Sequence, residues 1–138
     1  MYEVEFYKDR KERCFTIEFL NELQTKVRAK VAKWVDKLEK EGPNLPRPYT
    51  DIVRGKIREL RVSFSSNEYR FLYFFFGKRI IITHGFLKKT DRIPEGEIER
   101  AERIMQDFLE RNKGSWGNYE RYNKVSRLFK RRIKGSRI

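Results

Sequence analysis

The amino-acid sequence predicts an α+β fold, and three patterns carry that prediction. Residues 2–7 alternate acidic and apolar side chains, which is typical of a half-buried strand. Residues 16–41 repeat apolar side chains every three or four positions, which is typical of an amphipathic helix or a helical hairpin. Three β-prone runs follow within residues 57–87, and a helix that starts with proline comes after them. We therefore expect an N-terminal strand, a helix or helical hairpin, a three-stranded antiparallel meander and a C-terminal helix.

The helical segment 16–41 places an apolar stripe opposite a basic face. The stripe consists of Leu20, Leu23, Val27, Val31, Trp34, Val35 and Leu38. Gly42-Pro43 predicts the end of the helix, because glycine commonly ends helices and proline cannot continue them. Three prolines within residues 43–48 predict an extended loop after it.

The three β-prone runs assign side chains to sheet faces. In residues 57–64, Leu60, Val62 and Phe64 share one face, whereas Glu59, Arg61 and Ser63 share the other. Residues 68–76 are rich in aromatic side chains, and residues 79–87 include three consecutive isoleucines, which indicates a strand covered on both faces. Pro94 predicts the start of the last helix.

Composition limits the class of protein and of partner. The 138 residues suffice for one domain with a single core, and 33 basic against 20 acidic residues give a net charge of +13. Such a charge favours a polyanionic partner, which is a nucleic acid, an anionic membrane or an acidic protein. The single cysteine, Cys14, excludes an internal disulfide framework and a cysteine-based zinc cluster. Because we see no signal segment and no apolar run long enough to span a bilayer, we expect a soluble, cytoplasmic protein without a membrane partner.

The positive charge is concentrated at the C-terminus. Residues 115–138 contain eight basic residues and one acidic residue, so they carry +7 of the total of +13. We therefore divide the chain into a domain at 1–114 and a basic C-terminal extension at 115–138. Aromatic residues interleave with the basic ones there, a pattern that suits either RNA or an acidic protein partner. We assign RNA binding in the extension to Arg121, Lys124, Arg131 and Arg132.

Four short motifs follow one another between the first helix and the last. They are Gly55 followed by Glu59-Leu60-Arg61, then Tyr69-Arg70, then His84-Gly85-Phe86-Leu87-Lys88-Lys89-Thr90, and then the helix that starts at Pro94. In this order and spacing, the sequence resembles the RelE/HigB superfamily of toxin–antitoxin ribonucleases, in its phage-associated HigB-like branch. The resemblance covers roughly residues 2–110. It implies a RelE-like α+β fold in which helices back a curved antiparallel sheet.

The resemblance also implies an activity, its partners and a site. Similar proteins are ribosome-dependent mRNA endoribonucleases that cut mRNA in the A site of the small ribosomal subunit and so inhibit translation. A cognate antitoxin protein, helix-turn-helix or disordered, holds them inactive. Their active sites lie on the open sheet face, and the matching positions here are Arg61, Arg70, Lys88 and Lys89, with His84 as a possible addition. We add Lys56 and Arg58 of the first motif as RNA-binding residues.

These residue types suit the cleavage of RNA by its own 2′-hydroxyl. The reaction needs the 2′-oxygen deprotonated, the charge of the pentavalent phosphate stabilised and the 5′-oxygen protonated. Arginine offers a planar fork of donors that is always charged, and lysine transfers protons where burial or neighbouring cations disfavour its charge. This chemistry needs no metal ion or other cofactor.

Each assignment has a structural alternative. Arg61 and the pair Lys88 and Lys89 would then be solvated charges, and Arg70 would form an ion pair with Glu59 or Glu68. A lone histidine such as His84 is more often structural than catalytic. For the whole chain, the alternative is a non-catalytic module of the same fold that binds RNA or the ribosome.

Overall fold

A computed structural model describes residues 2–113, and the basic extension assigned to 115–138, with its four RNA-binding residues, lies outside this range. Five strands and three helices follow one another along these residues. They are β1 (Glu3–Phe6), α1 (Phe15–Asn21), α2 (Thr25–Glu41), β2 (Thr50–Arg54), β3 (Ile57–Phe64), β4 (Asn67–Phe76), β5 (Arg79–Lys88) and α3 (Glu95–Arg111), with a 3-10 turn at Gly42–Asn44. The predicted α+β fold class is confirmed, and the helical segment is a hairpin of α1 and α2.

The five strands form one sheet in the order β1-β5-β4-β3-β2. Strands β2 to β5 are antiparallel neighbours, and β1 pairs with β5 in parallel. The meander therefore has four strands rather than the predicted three, because Thr50–Arg54 adds a strand that the prolines before it conceal. A tight turn at Gly55, whose φ is +57°, joins this strand to β3.

Helices α1 and α2 cover one face of the sheet. Every second residue of the strands faces them, so Leu60, Val62, Phe71, Tyr73 and Ile82 form a core with Val27 and Val31 of α2. The apolar stripe predicted for residues 16–41 contributes its members to this layer. Gly42 ends α2 with a φ of +55°, and its backbone lies against the ring of Tyr2.

Helix α3 covers part of the opposite face. Ala101, Ile104 and Phe108 of the helix form a second core with one end of the central strands, at Ile57, Leu72, Phe74, Phe76 and Ile81. The helix starts directly after Pro94, and Glu95 and Glu97 in its first turn complement the positive end of the helix dipole. None of the helices in residues 2–113 has the length and apolar character needed to cross a membrane.

Gly85 provides a test of how closely α1 packs on β5. A Cβ atom at this position would overlap the ring of Phe71 and would lie 2.9 Å from the ring of Phe19. Since the Phe71 ring is fully buried, we expect Gly85→Ala to lower the free energy of unfolding by about 1–3 kcal/mol through overpacking. Gly96→Ala is the matched control, because nothing lies within 4 Å of its Cβ and alanine favours a helix. Chemical denaturation measures both, and an equal stability of the two variants would contradict this packing.

Candidate functional site

Charged side chains occupy the end of the sheet face that α3 leaves uncovered. Strand alternation puts Glu59 and Arg61 on the same face as Ile57, and it puts Glu68 and Arg70 on the same face as Leu72. We call these four charged residues, together with Asp51 and Lys88, the charged lattice. Its members are thus Asp51, Glu59, Arg61, Glu68, Arg70 and Lys88. They lie on β2, β3, β4 and β5, so four strands contribute to one surface.

The register of the strands places like charges opposite each other. Arg61 of β3 faces Arg70 of β4, and Asp51 of β2 faces Glu59 of β3. Like charges in directly opposed positions destabilise a sheet, so each needs a diagonal partner of opposite sign. Glu68 of β4 faces Lys88 of β5, which places opposite charges at the third level of the lattice.

Glu59 supplies the central counter-charge. Its Oε2 lies 3.0 Å from Nη2 of Arg61, and its Oε1 lies 3.0 Å from Nε of Arg70. The side chains of Glu59 and Arg70 are each only 8% exposed, so this ion pair lies out of water. Neither Arg70 Nε nor Glu59 Oε1 makes a directed hydrogen bond, and their attraction is therefore mainly Coulombic.

Two outer carboxylates complete the neutralisation. Asp51 lies 3.4 Å from Nη2 of Arg61, and Glu68 lies 3.1 Å from Nη1 of Arg70. The backbone N–H of Ile52 and the guanidinium of Arg47 lower the pKa of Asp51. Both outer carboxylates stay ionised at neutral pH, because the hydroxyl of Ser63 and the guanidinium of Arg70 also lower the pKa of Glu68.

The lattice carries no net charge although the whole chain is strongly basic. Its three carboxylates balance two guanidinium groups and one ammonium group, against +13 for the full sequence. A phosphate group that approaches therefore meets arginines that are already partnered. Binding there requires exchange of an outer carboxylate for the phosphate, rather than occupation of a bare cationic cleft.

The predicted catalytic residues differ in their accessibility. The Arg61 side chain is 32% exposed, whereas Arg70 is buried between Glu59 and Glu68 in the ion pair that the sequence left open as an alternative. Lys88 is half-buried, and its Nζ donates a hydrogen bond of 2.9 Å to the carbonyl of Asp91. Lys89 follows the end of β5 and is exposed. Arg61, Lys88 and Lys89 are thus the cations that a ligand can reach.

His84 lies beneath the surface rather than on it. The residue is 1% exposed, its Nδ1 lies 2.9 Å from the Thr83 hydroxyl, and its Nε2 lies 2.9 Å from a Glu97 oxygen. Burial, helped by the charge of Arg100, lowers the pKa of His84 to about 4. The imidazole is therefore neutral at pH 7, donates from Nε2 to the Glu97 carboxylate and fastens β5 to α3. A group held in this way is not placed for proton transfer to a bound ligand, so we leave it out of the catalytic set.

The two RNA-binding residues predicted on the first motif lie away from the lattice. Lys56 is in the turn between β2 and β3. Arg58 has the opposite parity from Arg61, and its guanidinium lies 5.5 Å from the centre of the Phe75 ring on the α2 side. Strand alternation thus divides the motif between two faces of the sheet.

From the sequence, Glu59 and Glu68 were expected only as partners of Arg70 in the structural alternative, and carboxylates were not counted as part of the site. The signal was present, because Glu59-Leu60-Arg61 and Glu68-Tyr69-Arg70 repeat the same spacing on neighbouring strands. Residues two apart share a strand face, so each arginine brings a carboxylate beside it. Asp51 had no such signal, since the strand that carries it was not predicted. Among residues 2–113, no three or more His, Cys, Asp or Glu side chains are grouped to hold a metal ion.

A cavity of about 430 Å³ lies elsewhere, between β1 and α2. Its lining is mostly apolar and includes Val4, Phe6, Val31 and Val35. None of the predicted site residues within 2–113 lines it. The lattice, by comparison, is an open surface of the sheet.

The burial of His84 predicts a pH dependence of stability. Because the pKa falls from 6.5 to about 4 on folding, the unfolded chain binds the proton more readily. The effect of His84 protonation on the free energy of unfolding is therefore absent above pH 6.5. As the pH falls from 6.5 towards 4, the free energy of unfolding decreases by about 3 kcal/mol in total. Denaturant titrations at pH 7 and pH 5 should therefore show a larger loss for the parent protein than for His84→Gln. An equal loss in both would mean that the folded protein holds this imidazole protonated.

Glu59 should contribute far more to the free energy of unfolding than Asp51, the outer carboxylate that also pairs with Arg61. Glu59→Gln leaves Arg61 and Arg70 opposite each other with no buried counter-charge, and breaking a buried pair costs about 3–5 kcal/mol. Asp51→Asn removes a carboxylate that water already screens, so we expect a loss of about 1 kcal/mol or less. Chemical denaturation compares the two, and a similar loss in both variants would show that Glu59 is not the central counter-charge.

Comparison with known protein families shows to which family the chain belongs. The family described as Phage derived protein Gp49-like (DUF891) matches residues 18–106, which run from within α1 to within α3 and include the whole lattice. No curated protein matches the chain. The match covers well over half of the sequence. The chain therefore belongs to the Gp49-like family of phage-derived proteins.

Proposed function

We propose that this Gp49-like protein is the toxin of a toxin–antitoxin system, an endoribonuclease that cuts mRNA on the ribosome and so inhibits translation. The family membership and the four ordered motifs support a RelE/HigB-like toxin of the HigB-like branch. The observation that carries the proposal is the state of Arg61. This guanidinium is held by a buried carboxylate and is still one-third exposed, on the sheet face that also bears Lys88.

The proposal places one phosphate group between the two lattice cations that a ligand can reach. Arg61 and Lys88 lie two strands apart, which is roughly 10 Å between backbones. In the structure, the Arg61 guanidinium lies towards Asp51 and the Pro48 carbonyl, and the Lys88 ammonium group donates to the Asp91 carbonyl. Binding of a phosphodiester above Arg70 and Phe86 therefore requires both side chains to turn towards β4. Arg61 then binds the non-bridging oxygens through its fork of donors. Arg70 acts as a positioning residue, because Glu59 links it to Arg61.

The reaction proceeds by attack of the neighbouring 2′-oxygen on phosphorus. The P–O2′ bond forms, the P–O5′ bond breaks, and the products are a 2′,3′-cyclic phosphate and a free 5′-hydroxyl. The proton of the 2′-hydroxyl passes to a base, and the leaving 5′-oxygen takes up a proton. We assign these transfers to Lys88 and Lys89, and the stabilisation of the pentavalent phosphate to Arg61.

The neutral lattice suits a transition state better than a ground state. Asp51 and Glu68 compete with the substrate for the arginines, so an ordinary phosphodiester gains little by displacing them. The pentavalent phosphate carries an additional negative charge and competes better. Interactions that strengthen only in the transition state raise the rate of the chemical step.

Affinity for the ribosome then has to come from other surfaces of the chain. The basic residues outside the lattice supply the many phosphate contacts that non-specific binding needs. An antitoxin protein, which we expect to be of the helix-turn-helix class, would hold the toxin inactive by covering the lattice or this basic surface. The proposed site of action in the cell is the cytoplasm.

One observation favours a second candidate, a non-catalytic module that binds RNA or the ribosome. Both lattice arginines already have carboxylate partners, and the single histidine is buried. Under this alternative the lattice only stabilises the sheet. The two candidate functions predict different effects of removing the Arg61 side chain on toxicity.

Arg61→Ala tests the proposal directly. Inducible expression of the parent protein should arrest growth, and this variant should not, because losing a contact to the transition-state phosphate costs about 3 kcal/mol, or roughly a hundredfold in rate. The exposed Arg103→Ala on α3 is the control and should stay toxic. Ribosome co-sedimentation should be unchanged in Arg61→Ala, since the lattice contributes little affinity. Full toxicity of a folded Arg61→Ala protein would remove this residue from the chemistry.

A further inference from the structure

A stacked aromatic pair lies beside the lattice, on the α2 side of the sheet edge. The rings of Trp34 on α2 and Tyr49 before β2 are stacked, with their centres 4.6 Å apart and an angle of 25° between their planes. Trp34 is half-buried, whereas Tyr49 is 41% exposed, which makes it one of three large apolar residues in the described range 2–113 that face solvent. The stack therefore presents an aromatic surface to water.

One lysine lies against this stack, and two more precede Trp34 on α2. Lys37 Nζ lies 5.7 Å from the centre of the Trp34 ring, and Lys33, which directly precedes Trp34, is also exposed. One turn earlier, Lys30 Nζ lies 6.0 Å from the centre of the Phe64 ring. Asp36, an acidic residue on the same helix, pairs with Lys40 at 3.4 Å. The surface is thus positively charged, in contrast to the neutral lattice.

The stack is continuous with the lattice through the backbone before β2. The amide of Arg61 donates a 2.8 Å hydrogen bond to the carbonyl of Tyr49. Nη1 of the same arginine lies 3.4 Å from the carbonyl of Pro48. The stack lies on the α2 side and the lattice on the opposite face of the sheet, so a polymer whose phosphate contacts Arg61 reaches the Tyr49 ring by passing around the β2 edge.

We infer that Trp34, Tyr49 and the lysines at 30, 33 and 37 form a docking surface for single-stranded RNA, which receives the strand that flanks the phosphate at Arg61. A base stacks on the exposed face of Tyr49, and the lysines contact the backbone phosphates. Aromatic rings interleaved with cations are the usual means of binding unpaired nucleotides. This inference rests on the proposed function for its RNA substrate, but it concerns binding alone.

The chemistry of the surface favours RNA over an acidic protein. Cations alone would suit either, but an exposed ring already stacked on a second ring offers a flat π-face. A nucleobase uses that face fully, and stacking contributes about 1–3 kcal/mol for each base. An apolar side chain of a protein needs only contact area, which any large apolar residue at 49 would provide.

The test uses the full chain and an RNA that cannot be cleaved. Fluorescence anisotropy would measure binding of a labelled, 2′-O-methylated oligoadenylate of about 12 nucleotides, a length within the site sizes of single-strand binders. Tyr49→Leu should weaken binding roughly tenfold, since one stacking contact is lost, whereas Tyr49→Phe should bind as the parent does. Ile17→Ala is the matched control, because Ile17 is exposed to the same degree, 42%, but lies on α1.

A second pair of variants tests the lysines. Lys33→Gln combined with Lys37→Gln should weaken binding and flatten its dependence on salt, because each lost phosphate contact lowers the slope by about one. Lys8→Gln combined with Lys11→Gln removes the same charge from the loop between β1 and α1 and should change the slope less. Equal slopes for the two pairs would overturn the role of the α2 lysines.

The outcomes separate this inference from the proposed function. An abasic oligomer of the same length that binds as tightly as oligoadenylate would overturn it, because no base would be stacking. A Tyr49→Leu protein that binds RNA as tightly as the parent protein would also overturn it. So would binding of an acidic peptide at this surface with no effect of Tyr49→Leu on RNA affinity, because the surface would then serve a protein partner. If stacking is found but the parent protein does not arrest growth, the RNA surface stands and the proposed nuclease activity falls.

Discussion

Helix α3 covers only one end of its sheet face, and the charged site lies on the end that the helix leaves uncovered. Where Ala101, Ile104 and Phe108 reach the sheet, the facing strand residues are apolar. Beyond the helix the same strand faces carry Glu59, Arg61, Glu68 and Arg70 instead. Charges that lie side by side on a sheet must neutralise one another, so an arginine on one strand requires a carboxylate on the same or the next strand. The buried Glu59 meets that requirement for two arginines at once.

Under the proposed function, this arrangement separates two tasks, the positioning of the reacting phosphate and the attraction of RNA. The lattice holds Arg61 in a defined place without adding net charge, so it contributes geometry more than affinity. In the proposed RNA-binding role, the α2 surface with its stacked rings and lysines contributes the attraction to RNA. A site that binds its substrate mainly from outside the reacting centre leaves the central contacts free to strengthen in the transition state.

Much of the fold follows from side-chain periodicity. The periodicity of residues 16–41 predicted a helix or a helical hairpin, of which the structure has the hairpin, and the alternation in residues 57–64 placed Arg61 correctly on the face opposite Leu60. The strand Thr50–Arg54 was missed, because it is only five residues long, follows a proline-rich loop and acquires its structure by pairing with β3. For His84 the sequence left a structural and a catalytic role open, since its burial depends on where α3 crosses β5. Local patterns predict which face a residue occupies, but not what covers that face.

Primer extension on a translated mRNA is the most direct test of the nuclease site. Purified protein, an mRNA and translating ribosomes should give cuts in register with the codons, and the same mRNA without ribosomes should remain intact. A folded Arg61→Ala protein should give none of these cuts while still sedimenting with ribosomes. Cuts of unchanged position and intensity from that variant would contradict the assignment of Arg61 and the lattice to catalysis, and an absence of cuts from the parent protein would leave a module that only binds.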